Sequence, residues 1–381
     1  MNKNTLMVMM GFSMLLMIGQ NARGDEFKPE DILGRMQKAA QWQLANPFGY
    51  HRLEWHCAPF YMGLSDLSEV TGDPQHIDAA KAIGEKYDWK LGRRHYHADD
   101  HAVGQVYLKL YQRDQDAKMV SPLNQRFDWI LSNPAEQTYW ADYTRPELEQ
   151  RKWPGWRDFK QERWSWCDAL YMAPPVWAGL WKKTGEQKYL DYMVKEWQQT
   201  HDWLWDDEIG LYYRDKNYID RLSPAGKKIF WSRGNGWVFA GLVEVLQYLP
   251  KNHPHRATFE KIFLRMAASL KTLQMDNGIW APSLLDPTHT PQDETSGTAF
   301  YVYGMAWGIN NGLLERSEYE PTIRKAWLAL CERQKENGRL INVQPVGARP
   351  EGFDPDSTVI YGMGAFISAG SEIYKLMHRQ H

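Results

Sequence analysis

Three short segments set charged side chains among indoles and glycines in patterns that chemistry can use. The first is Trp164-Ser165-Trp166-Cys167-Asp168, a carboxyl group following two indoles at the start of an apolar run. Apolar walls disfavour the charged carboxylate and raise its pKa, which is what a general acid needs near neutral pH. An Asp at such a place also commonly caps a helix N-terminus, so capping stands as the other role open to Asp168. The second segment is Asp99-Asp100-His101, again at a helix entry. A carboxylate from here can face Asp168, and mutual repulsion would push one of the two pKa values up. Capping is again the alternative for either Asp. The third is Trp231-Ser232-Arg233-Gly234-Asn235-Gly236-Trp237. Its glycines allow a tight turn, Arg233 can form a two-pronged pair with a carboxylate, and Trp231 and Trp237 offer stacking faces. A structural turn with an internal Arg–Asp bridge is the competing account of that segment.

Metal and cofactor signatures are missing from the chain. Neither HExxH nor CxxC occurs, no EF-hand loop is present, and the glycine-containing turn lacks the lysine and preceding strand of a phosphate loop. No metal or organic cofactor is expected. Cys57, Cys167 and Cys331 are too few and too widely spaced for a disulfide framework and are read as buried thiols.

The elements that must carry these segments follow a loose repeat. Six polar or glycine-containing entries each lead into an apolar, aromatic helix. They are Trp55-His56-Cys57, Asp99-Asp100-His101, Ser165 to Asp168, Ser232 to Gly236, Glu294-Thr295-Ser296-Gly297 and Ser357-Thr358-Val359-Ile360. The helices expected after them span 58–70, 102–111, 169–184, 237–249, 298–314 and 362–376. Turn signals such as Thr71-Gly72-Asp73-Pro74 and Thr184-Gly185-Glu186 close several of them. Second, amphipathic helices are expected over 75–87, 187–202, 256–275 and 320–335, with apolar steps of three and four as in Tyr189, Tyr192, Met193 and Trp197. Beyond the first interval the entries recur about every 60 residues, a period that signals stacked helical hairpins. Six hairpins closed in a ring make an all-α toroid, an (α/α)6 barrel with the first helices lining the centre and all six entries at one end. An open superhelix is the alternative, but its repeats would be shorter and more uniform.

Composition narrows the function further. The chain has 381 residues, a formal net charge of -2 and 43% hydrophobic residues, which gives no electrostatic case for nucleic acid or an anionic membrane surface. It also carries 19 Trp and 20 Tyr, rings whose apolar faces stack on sugars while their edges take hydrogen bonds, although most are expected to be barrel filler. Lys3, the Met-rich apolar stretch from Leu6 to Ile18 and Ala22-Arg23-Gly24 read as a secretory signal over residues 1–24. Residues 25–381 are then one catalytic domain, exported to the periplasm or secreted, with no membrane span.

At its three chemical segments the chain resembles the unsaturated rhamnogalacturonyl hydrolases of glycoside hydrolase family 105 and the related unsaturated glucuronyl hydrolases of family 88. The likeness runs from Trp55 to the C-terminus. It includes Ala98 to Gln105, Trp164 to Trp177, Phe230 to Gly241, Pro282 to Pro287, Glu294 to Asn311 and Tyr361 to Gly370. The resemblance implies an (α/α)6 barrel acting on the Δ4,5-unsaturated uronic acid, of galacturonyl-rhamnose type, that polysaccharide lyases leave at a non-reducing end. It implies Asp168 as catalytic acid/base and Asp100 as the second acidic residue, with Asp99 competing for that register. Trp166, Trp231, Arg233 and Trp237 are expected to bind the unsaturated sugar. Where many relatives carry a His after a Gly-Leu-aromatic turn, this chain reads Gly210-Leu211-Tyr212-Tyr213-Arg214-Asp215. The implied chemistry is protonation of C4 in an enol ether, addition of water at C5, and opening of the resulting hemiketal with loss of the neighbouring sugar. An ordinary glycosidase or epimerase on the same toroid, and a non-catalytic oligosaccharide-binding protein, are the rival functions.

Overall fold

The computed structural model describes residues 27–134 and 164–378, so the segment read as a secretory signal lies outside the described residues. Within them, twelve helical segments alternate between an inner and an outer ring, one of the inner ones broken in two. The inner helices are α2 (Ala58–Thr71), α4 (Gly104–Asp114), α6 with α7 (Ala169–Met172 and Pro174–Thr184), α9 (Ser232–Tyr248), α11 (Thr295–Asn310) and α13 (Ile360–His378). The outer helices are α1 (Pro29–Ala45), α3 (Gln75–Lys86), α5 (Ser121–Ser132), α8 (Gln187–Leu204), α10 (Arg256–Thr272) and α12 (Arg316–Glu332). Each inner helix packs on the next, and α13 returns to α2, so the ring is closed rather than open. The only sheet among the described residues is a two-stranded hairpin, β1 (Trp205–Asp206) against β2 (Leu211–Tyr212).

Burial follows the two layers. Nearly every residue of α9 and α11 is buried, because these helices meet neighbours on all sides. The outer α8 buries only one stripe, including Tyr189, Met193 and Trp197. At the seam between α13 and α2 the backbones touch: a Cβ on Gly364 would sit 2.3 Å from the carbonyl carbon and oxygen of Pro59. Only glycine permits that approach.

Two expectations are corrected here. The helix expected over 169–184 is split at Ala173, because Pro174 and Pro175 have no N–H to donate to Leu170 and Tyr171. The orphaned Tyr171 carbonyl is taken by the buried Gln105 Nε2 at 2.9 Å, which ties α4 to the break. The outer helices α1 and α5 carry no entry segment and were not anticipated. Both open on a proline within the first turn, which suits the helix start.

Candidate active site

All six entries meet at one end of the ring, at the N-termini of the inner helices. Trp55, ahead of α2, stacks on Tyr361 at the start of α13 (5.6 Å between centroids, 14°) and meets Trp237 of α9 edge-on at 6.0 Å. His97, just ahead of the short turn Ala98–His101 that leads to α4, lies 5.0 Å from the ring of Trp166. The loop after Leu340 closes the group, since Gln344 Oε1 accepts from Trp231 Nε1 at 2.8 Å.

Asp168 is buried at the start of α6, and its side chain makes no capping hydrogen bond to the helix. Capping therefore does not account for this residue. Its Oδ2 receives the Cys167 thiol at 3.5 Å and lies 3.5 Å from Arg214 Nε. Burial pushes the Asp168 carboxyl above the usual carboxylate range, while the positive charges of Arg214 and Arg233 pull it back. The walls differ from expectation at Trp164. Its indole packs edge-on against Tyr192 of the outer helix α8, and its carbonyl accepts from Thr200, so it belongs to the outer layer. Trp166 stays beside the site, its backbone bridged to Asp215.

The two carboxylates of the second segment have separate fates. Asp100 is committed to Arg94: Oδ2 accepts from the Arg94 backbone N–H at 2.6 Å and from Nε at 3.1 Å, and Oδ1 accepts from Nη2 at 2.6 Å. These donors outweigh its burial and hold Asp100 below the ordinary range. Both Asp100 oxygens thus brace the loop that carries Arg94. Asp99 is the carboxyl under the influence of Asp168. Burial, and the charges of Asp168 and Asp100, push it up to about 7 against the pull of Arg94. Its backbone N–H donates to His97 Nδ1 at 3.2 Å, and burial keeps that imidazole neutral, with its pKa lowered to about 3.

Arg233 lies wholly beneath the surface. Its Nη1 donates to the Gln344 carbonyl and its Nη2 to the Pro345 carbonyl at 2.9 Å. The guanidinium sits 4.4 Å over Trp231 and 5.1 Å over Tyr361. The internal Arg–Asp bridge does not match these contacts. Arg233 is a fixed positive charge held by carbonyls and rings, with its Nε unpaired. Trp231 accordingly stacks on Arg233. Trp237 is fully buried among Tyr171, Phe300 and Tyr361, and its indole N–H has no partner.

Four residues at this end have no place in the sequence expectation: Arg94, His97, Gln344 and Tyr50, whose ring lies 3.9 Å from His56, itself 3.9 Å from Trp55. The run Arg93-Arg94-His95 beside two aspartates was the one available signal for Arg94. All three cysteines are buried free thiols. Among the described residues no cluster of His, Cys, Asp and Glu is arranged to hold a metal ion, and no helix is long and apolar enough to cross a membrane. A buried carboxyl with a raised pKa, a second carboxyl titrating near neutrality and two guanidinium groups suit proton transfer to a bound anion.

The chain matches the model of Glycosyl Hydrolase Family 88 over residues 27–377. It is 38% identical over 353 residues, 91% of each chain, to an unsaturated 3S-rhamnoglycuronyl hydrolase of Formosa agariphila. A protein of the same name from an Alteromonas species is 37% identical over 351 residues, 88% of this chain and 84% of the other. Among solved structures, a glycosyl hydrolase family 88 protein from Bacteroides vulgatus superposes with a TM-score of 0.80 at 29% identity, covering 92% of this chain and 99% of that one.

Proposed function

We propose, because the chain belongs to glycosyl hydrolase family 88 and is a glycoside hydrolase, that it removes a Δ4,5-unsaturated uronic acid from the non-reducing end of oligosaccharides left by polysaccharide lyases. The observation that carries the reading is Asp168, a buried carboxyl that neither caps its helix nor closes a tight ion pair. Relatives at 37–38% identity are named unsaturated 3S-rhamnoglycuronyl hydrolases, which supports rhamnose as the sugar next to the unsaturated uronate.

In this reading Asp168 delivers its proton to C4 of the enol ether. Positive charge then develops at C5 and the ring oxygen. The Asp168 carboxylate so formed takes a proton from the water that adds at C5, and the hemiketal opens with loss of the neighbouring sugar. Because the anomeric carbon is not attacked, the two-carboxylate spacing of ordinary glycosidases does not apply. Asp99, on the neighbouring entry and pushed up to about 7, is placed to bind a sugar hydroxyl. Arg233 supplies a fixed positive field that favours an anionic substrate. The sequence of residues 1–24, read as a secretory signal, supports export.

The test is a panel of lyase-generated disaccharides, followed by loss of the ultraviolet absorbance of the C4=C5 bond. Unsaturated glycuronyl-rhamnose should be consumed and its saturated counterpart left intact. Cleavage of the saturated compound would point to an ordinary glycosidase, and binding without turnover to a carrier.

A further inference from the structure

Arg214 stands between two carboxylates and is satisfied by only one. Its Nη1 donates to Asp215 Oδ2 at 2.6 Å. Its Nε lies 3.5 Å from Asp168 Oδ2 and has no hydrogen-bond partner, and about a quarter of the side chain is exposed. Asp215 is itself fixed, since its Oδ1 accepts from both the backbone N–H and Nδ2 of Asn217 at 2.8 Å, and its backbone bridges Trp166. The Arg214 carbonyl in turn accepts from the Cys167 N–H at 2.8 Å. The guanidinium is thus anchored on one edge and turns its other donor edge to Asp168 without closing on it. A planar fork with a spare N–H edge is suited to a second carboxylate.

The charges facing Asp168 come from every side of the site. Its own segment brings the Cys167 thiol, the loop after β2 brings Arg214 and Asp215, and α9 brings Arg233. The turn Ala98–His101 brings Asp99, with Asp100 and Arg94 paired behind it. His97 and His56 are held neutral by burial, and the Tyr361 hydroxyl is pushed up and stays protonated. Arg214 and Arg233 are therefore balanced by the carboxylates of Asp215 and Asp168, while Arg94 balances Asp100. A uronate carboxylate entering this group adds a negative charge that has no counter-ion unless Asp168 gives up its own.

We propose that Arg214 is a counter-ion used in turn by Asp168 and by the substrate: it faces the Asp168 carboxylate in the free enzyme, then receives the uronate carboxylate, and Asp168 takes from solvent the proton it delivers to C4. This rests on the reading of the substrate as an unsaturated uronide. The protons balance. Asp168 gains one from solvent on binding, passes it to C4, regains one from the water that adds at C5, and returns it to solvent when the product leaves. Arg214 directly follows the aromatic pair Tyr212-Tyr213, which sets it at the end of the β1–β2 hairpin.

The experiment measures pH profiles of wild type, Arg214→Gln and Arg214→Lys on an unsaturated glycuronyl disaccharide and its methyl ester. A group that must be protonated gives an alkaline limb. In the wild type that limb should lie at lower pH in kcat/KM, which reports the free enzyme, than in kcat, which reports the complex. The expected separation is about one pH unit, a tenfold coupling between substrate and proton. For the methyl ester the two limbs should coincide. In Arg214→Gln the kcat/KM limb should move up to meet that of kcat, with KM for the uronide raised about tenfold and KM for the ester little changed, and Arg214→Lys should restore part of the separation. Coincident limbs in the wild type, or an undiminished separation in Arg214→Gln, overturn the proposal while leaving the hydrolase reading intact. No turnover of either compound by the wild type overturns both.

Discussion

Replacing Asp168 with asparagine separates chemistry from architecture, because the contacts of this side chain make the two effects unequal. The amide keeps the shape of the carboxyl and can still accept from the Cys167 thiol. No helix N–H loses a partner, since Asp168 makes no capping bond. Arg214 loses a charge at 3.5 Å but keeps Asp215 at 2.6 Å. Removing a buried carboxylate also removes its desolvation cost, which opposes the loss of attraction. The net stability change should stay within about 1 kcal/mol, a shift in Tm of no more than about 2–4 °C. Turnover, in contrast, loses its proton donor, and general acid–base catalysis is worth about 10²–10⁴-fold, or about 3–5 kcal/mol of barrier. The assay pairs initial rates on an unsaturated disaccharide, read by ultraviolet absorbance, with a thermal melt of the same preparation. A variant that turns over within a few-fold of wild type would refute the role of Asp168. One that melts far lower would show that the residue is structural after all.

Other expected outcomes probe the surroundings. Arg233→Lys keeps the charge but cannot reach both the Gln344 and Pro345 carbonyls while lying over Trp231, so Tm should fall by several degrees along with kcat/KM; a raised KM on a protein of unchanged Tm would mean that Arg233 touches the substrate directly. Gly364→Ala puts a Cβ against the Pro59 backbone at the seam of the ring and should cost about 1–3 kcal/mol in chemical denaturation, whereas a neutral result would mean that α13 and α2 can separate freely. Asp66, deep in the ring, is pushed up to about 7 by burial and by Glu244, against the attraction of Lys375 and Lys109 and a hydrogen bond from Ser368 Oγ. A carboxyl raised on folding stabilises below its unfolded pKa of 3.8 and loses that contribution as pH climbs through 7. Asp66→Asn should therefore raise Tm at pH 8 by about 2 °C or more and change it little at pH 4; an equal shift at both pH values would contradict this assignment.

The ring was legible because its signal is repeated. Each of the six entries sits just ahead of, or forms the first turn of, an apolar helix, and the spacing brings them to one end whatever the detail of the loops between. The outer helices α1 and α5 escaped because they are amphipathic segments with no entry and no glycine-marked close. The break at Ala173 was written in Pro174-Pro175, but a long apolar run outweighed it. The site was legible only as far as single segments go. Asp168 stands out in its own neighbourhood, whereas the choice between Asp99 and Asp100 depends on Arg94, whose backbone and side chain both turn onto Asp100. The hold on Arg233 is not legible in its own segment, because its partners are the Gln344 and Pro345 carbonyls, more than a hundred residues away. The substitution at Arg214 was visible, but not its place beside Asp168, which the β1–β2 hairpin and its bridge to Trp166 create.

The proposed reaction begins by protonating C4 of an enol ether and leaves the anomeric carbon unattacked. Running the reaction on an unsaturated glycuronyl-rhamnose disaccharide in D₂O, and locating deuterium in the opened product by NMR, tests it most directly. Deuterium bonded at C4, incorporated at the rate at which rhamnose is released, is the predicted result. Rhamnose released with no deuterium at C4, and the C4=C5 bond intact in the other product, would contradict it.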